Sequence, residues 1–124
     1  MIYGVGTDIV KIERMARSLE RTEGFKKKIF TQQEIDYCSE KAFAPQHFSG
    51  MFAVKESFIK AFKEGMSGGM KYCDIEILHY EDGAPYLNLS GITKEKFESK
   101  KLAAAHISIS HDTDFATAVV IIEK

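Results

Sequence analysis

Residues 2–10, IYGVGTDIV, set Tyr3, Val5, Thr7 and Ile9 at a period of two, which predicts a strand with those four on one face and Gly4, Gly6 and Asp8 on the other. Immediately downstream, Ile12, Met15, Ala16 and Leu19 follow helical spacing, so the strand runs directly into an amphipathic helix that ends near Gly24. Thr31-Gln32-Gln33-Glu34 has the form of a capping box and opens a short helix to about Glu40. Pro45 reads as a loop, and from about Ser49 a longer helix carries Val54, Phe58, Ala61 and Phe62 on one side and Glu56, Lys60 and Lys63 on another. Gly65, Gly68 and Gly69 end it.

The rest of the chain is dominated by hairpins. DIEILHY (74–80) and PYLNL (85–89) flank a turn at Asp82-Gly83, residues 93–101 suit a short polar helix, and AAHISISH (104–111) pairs with FATAVVIIE (115–123) across Asp112-Thr113-Asp114. Helices and strands are grouped rather than alternating. The expected fold is therefore α+β, one small domain spanning 1–124 with an antiparallel sheet packed against helices.

Composition narrows the function. With 44% hydrophobic and 28% charged residues the chain is expected to form a packed core, yet 124 residues leave much apolar surface uncovered, which favours an oligomer. A net charge of −1 gives no global attraction for nucleic acid or an anionic membrane. No segment approaches the roughly 20 apolar residues of a membrane span, residues 1–5 do not resemble a secretory signal, and Cys38 and Cys73 form no disulfide or zinc pattern. A soluble, cytoplasmic protein is expected. Charge is concentrated locally: Arg14, Arg17, Arg21, Lys26, Lys27 and Lys28 face only Glu20 and Glu23, making a basic surface.

Three polar residues fall where the pattern asks for apolar or small ones: Asp8 in a strand, Glu56 within a core helix and His111 at a strand end. Taken singly, each has an ordinary structural explanation, as a solvated edge residue, an i,i+4 partner of Lys60 and a structural histidine. Taken together, Asp8 and Glu56 make the pair of carboxylates that Mg²⁺ prefers when phosphate oxygens and water complete its shell. Lys55, Lys60 and His111 would then offset the remaining phosphate charge. Gly4-x-Gly6 lacks the third glycine of a dinucleotide-binding turn, so those glycines either clear space beside Asp8 for a ligand or permit tight packing.

GVGTDIV (4–10), MFAVKESFIKAF (51–62) and SISHD (108–112) resemble the three signatures of the holo-[acyl-carrier-protein] synthase type of phosphopantetheinyl transferase, and the likeness runs from Met1 nearly to the last residue. The resemblance implies transfer of 4'-phosphopantetheine from coenzyme A to a serine of apo acyl carrier protein. The serine hydroxyl attacks the β-phosphate, adenosine 3',5'-bisphosphate leaves, and the holo carrier serves fatty acid biosynthesis. It implies magnesium at Asp8 and Glu56, coenzyme A phosphates or proton transfer at Lys55 and His111, and an acidic carrier helix on Arg14, Arg21 and Lys28. It also implies a homotrimer with active sites at subunit interfaces. Glu56 is the favoured acceptor of the serine proton, with Asp8 and His111 as alternatives. One position departs from the family pattern, which has an arginine where this chain has Met51. The rival readings are a non-catalytic carrier-binding module and another magnesium-dependent nucleotide phosphotransferase.

Overall fold

A computed structural model describes residues 1–124. Strand β1 (Ile2–Lys11) leads without a break into α1 (Ile12–Arg21), followed by α2 (Phe25–Ile29), α3 (Gln32–Ser39) and α4 (Ala44–Phe62). A 3-10 turn (Tyr72–Asp74) precedes β2 (Ile75–His79) and β3 (Pro85–Leu89), and α5 (Gly91–Ser99) separates these from β4 (Ala104–His111) and β5 (Phe115–Glu123). The fold is α+β, as expected. Its strands form two antiparallel sheets, one of order β1-β5-β4 and the other the β2-β3 hairpin.

The glycines of β1 decide how the layers meet. Gly4 and Gly6 are buried while Val5, Thr7 and Ile9 are exposed, so the β-branched face of the strand points away from the helices. A Cβ on Gly6 would overlap the Ser57 carbonyl oxygen, and one on Gly4 would overlap that of Ala61. Close approach of the α4 backbone is thus what these glycines provide, and tight packing, rather than space for a ligand, is their role. Val54, Phe58, Ala61 and Phe62 of α4 are fully buried against the sheet and the β2-β3 hairpin. Burying each of the Val54, Phe58 and Phe62 side chains contributes about 1.5–3 kcal/mol.

Several elements differ from expectation, α5 among them, which runs Gly91–Ser99 instead of 93–101. Helix α4 begins at Ala44 and takes Pro45 into its first turn, where a fixed φ and a missing N–H carry no penalty, so this proline starts a helix instead of marking a loop. Helix α2 was not foreseen, because five residues are too few to display a period; Gly24 opens it with φ 81°. Residues 72–74 turn before the first hairpin instead of joining it at Asp74. The capping box is present, with Thr31 N–H donating to Glu34 Oε1 at 2.9 Å and Glu34 N–H donating to Thr31 Oγ1 at 3.2 Å.

Candidate active site

Asp8 sits on the helix-facing side of β1 opposite Ala118 of β5, at the edge of the sheet where α4 crosses it. Lys60, one turn after Glu56, reaches over that edge and donates to the Thr7 carbonyl at 2.8 Å and to Asp8 Oδ1 at 3.3 Å. Glu56 does not pair with Lys60. Its Oε1 accepts instead from the Tyr72 hydroxyl at 2.8 Å. Burial, the Glu56 hydrogen bond and the negative charges of Glu56 and Asp8 together push the Tyr72 hydroxyl up to about 12, so it stays protonated and donating at neutral pH. The structure therefore makes two contact pairs, Asp8 with Lys60 and Glu56 with Tyr72, and the Asp8 charge adds a small push to the Tyr72 hydroxyl, a residue that no sequence pattern had singled out. Asp8 Oδ2 and Glu56 Oε2 have no protein donor.

Lys55 does not belong to this group. It is fully buried, and its ammonium donates to Glu34 Oε1 at 2.8 Å and to the Ile29 and Tyr72 carbonyls at 2.9 Å each. With all three donors committed inside the core, Lys55 is placed away from Asp8 and Lys60 and has no donor turned toward that edge of the sheet. Burial lowers its pKa, and the adjacent Glu34 carboxylate opposes that shift. Glu34 is likewise saturated, its Oε2 accepting from Ile77 N–H at 2.9 Å.

His111 lies at the end of β4, the opposite edge strand, with β5 between it and β1. Two strand spacings, about 10 Å, separate those edges, so Asp8 and His111 do not converge within one chain. His111 instead borders a cavity of about 290 Å³ together with Tyr37, His47, Met51 and His79. The His79 ring stacks on Tyr37 at 3.9 Å, and His47 meets His111 edge-on at 5.7 Å. Met51 is buried and its sulfur accepts from Cys38 Sγ at 3.6 Å, so the residue that departs from the family pattern packs inward. Burial pushes the Cys38 thiol up to about 12.

Burial, and then neighbouring cations and histidines, lower the pKa of both His47 and His79. A histidine lowered on folding takes up protons more readily in the unfolded chain, so its contribution is complete above the unfolded value of about 6.5 and is lost as pH falls through the folded value. Urea midpoints compared at about pH 7.5 and pH 5 should show a decline in the wild type that is shallower in a His47→Gln/His79→Asn variant. Equal declines would remove these histidines as its source.

Part of the expected basic surface is brought together on α1. Arg14, Arg17 and Arg21 line one shallow depression on α1, with only Arg17 paired, to Glu13 at 3.2 Å, and Lys28 is exposed on α2. No helix is long and apolar enough to cross a membrane.

Residues 4–120 match the family model described as 4'-phosphopantetheinyl transferase superfamily. The holo-[acyl-carrier-protein] synthase of Geobacter sp. (strain M21) is 40% identical over 125 residues, covering 100% of both chains. That of Clostridium novyi (strain NT) is 44% identical over 126 residues, covering 99% of this chain and 88% of the other. The crystal structure of the Neisseria meningitidis synthase superposes with a TM-score of 0.91 at 30% identity over all of both chains. The Helicobacter pylori synthase, solved in complex with coenzyme A, gives 0.84 at 33% identity over 96% of this chain and 99% of that one. This chain belongs to the holo-[acyl-carrier-protein] synthase family.

Proposed function

We propose that residues 1–124 act as one transferase domain that moves 4'-phosphopantetheine from coenzyme A to a serine of apo acyl carrier protein, releasing adenosine 3',5'-bisphosphate. The observation that carries this reading is that Asp8 on β1 pairs with Lys60 of the α4 helix packed against that strand, while Glu56, one turn earlier on α4, is held by the Tyr72 hydroxyl. Two carboxylates, each with one oxygen free of protein donors, suit a hard divalent cation that takes its other ligands from phosphate and water. Asp8 and Glu56 are the residues that would hold Mg²⁺. The bound ion would supply charge stabilisation to the pyrophosphate.

The protein's own groups do the rest. Lys60, half exposed at its side chain, offers a positive charge beside Asp8 for a phosphate oxygen. Glu56 accepts the serine proton, with Asp8 and His111 as the alternatives. Arg14, Arg21 and Lys28 receive an acidic helix of the carrier. His111, remote from Asp8 in its own chain, would enter the site of a neighbouring copy. A homotrimer with active sites between subunits is favoured by the outward face of β1 and β5, where Val5 is 54%, Ile9 62% and Phe115 40% exposed. A cytoplasmic role in supplying holo carrier for fatty acid biosynthesis fits this chemistry.

Intact-mass spectrometry of apo acyl carrier protein incubated with this protein, coenzyme A and Mg²⁺ tests the proposal, with an EDTA control. A phosphopantetheine mass gain that disappears with EDTA is expected. Carrier binding with no gain in mass would overturn it in favour of a silent binding module, and Met51→Arg would then be the first reversion to try.

A further inference from the structure

Glu56 and Lys55 are neighbours in sequence, and both act on Tyr72. The Lys55 ammonium holds the Tyr72 carbonyl at 2.9 Å, while Glu56 Oε1 accepts from the Tyr72 hydroxyl at 2.8 Å. One residue is thus gripped at its backbone and at the tip of its side chain by consecutive positions of α4, and the Phe52 ring lies 5.8 Å from its own. We propose that Tyr72 is the positioning residue for Glu56, anchored by the buried Lys55–Glu34 pair, so that one Glu56 oxygen is fixed and the other is presented to a divalent cation. This rests on the reading of Glu56 as a metal ligand.

The need for an anchor follows from where Tyr72 stands in the chain. The connection leaving α4 has positive φ at Lys63, Gly65, Gly68 and Gly69, a run with little intrinsic preference for one path. A hydroxyl borne directly after such a segment could orient nothing unless its own backbone were tied down. Lys55 supplies that tie from inside the core, and its hydrogen bonds to Ile29 and Glu34 fix the ammonium to two further segments. The buried ion pair thereby acquires a purpose beyond stability. It transmits the rigidity of the core to the one hydrogen bond that orients Glu56, as outer-sphere partners do for metal-binding carboxylates.

The test uses Tyr72→Phe, which keeps the ring and removes only the hydroxyl, with Mn²⁺ as the probe. In the presence of coenzyme A, Mn²⁺ binding followed by electron paramagnetic resonance should weaken about tenfold, and the Mg²⁺ concentration for half-maximal transfer should rise by a similar factor. Turnover at saturating Mg²⁺ should stay within about twofold of wild type, because the hydroxyl orients the ligand and does not touch the reacting atoms. The melting temperature should move by less than about 4 °C. Unchanged Mn²⁺ affinity in Tyr72→Phe, alongside lost affinity in Glu56→Gln, would overturn the positioning role alone. Unchanged affinity in Glu56→Gln would overturn the metal reading and the proposal with it.

Discussion

Lys55→Met is expected to lose about 3–5 kcal/mol of folding stability, read as a fall in the urea midpoint at constant slope. The Glu34 carboxylate it leaves behind is fully buried and would retain the Thr31 and Ile77 amide donors while losing its only cation. The Ile29 and Tyr72 carbonyls lose a donor in the same step. Against a typical domain stability of about 5–15 kcal/mol this is a large fraction. Pairing the change with Glu34→Gln should recover at least half of the loss, since a glutamine oxygen can accept from one of the same amides without stranding a charge. A single-variant loss below about 1 kcal/mol would mean that the pair is not a desolvated ion pair. It would also remove the anchor inferred for Tyr72.

The position of Lys55 also shows where sequence reasoning reached its limit. In a lysine-glutamate pair on an amphipathic helix, the charged residues are ordinarily assigned to the solvated face, yet successive helical residues are about 100° apart and cannot share one. Glu56 fell on the side that meets the Tyr72 hydroxyl and Lys55 on the core side, where only the three-dimensional arrival of Glu34 and two carbonyls could satisfy it. The strands and the capping box were legible because each depends on local period, whereas Asp8 and Glu56 stood out only by chemical type. The inward face of β1 was not legible. Its period separated Tyr3, Val5, Thr7 and Ile9 from Gly4, Gly6 and Asp8 without saying which face turns inward, which is set by an α4 backbone that approaches so closely that only glycine fits. Tyr72, His47 and His79 were equally silent, since their contacts include Glu56–Tyr72, Tyr37–His79 and His47–His111, between residues far apart in sequence.

Asp8→Ala should lower the rate of phosphopantetheine transfer by roughly 10²–10³-fold while leaving the fold nearly unchanged, the scale expected when one preorganised group that offsets transition-state charge is removed. The separation of the two effects can be argued from its contacts. Asp8 is 19% exposed at its side chain, and its only protein partner is Lys60, which is 54% exposed and keeps the Thr7 carbonyl. A partly exposed pair of this kind contributes about 0–1 kcal/mol, and the backbone register with Ala118 does not depend on the carboxylate. Glu56→Ala should match it in activity loss and again leave the core intact, because Glu56 bonds only to the Tyr72 hydroxyl. Steady-state transfer rates and urea midpoints measured on the same preparations decide the matter. Near-normal rates in both variants would overturn the magnesium assignment, whereas a rate loss accompanied by an equal collapse of stability would reassign these carboxylates to the fold.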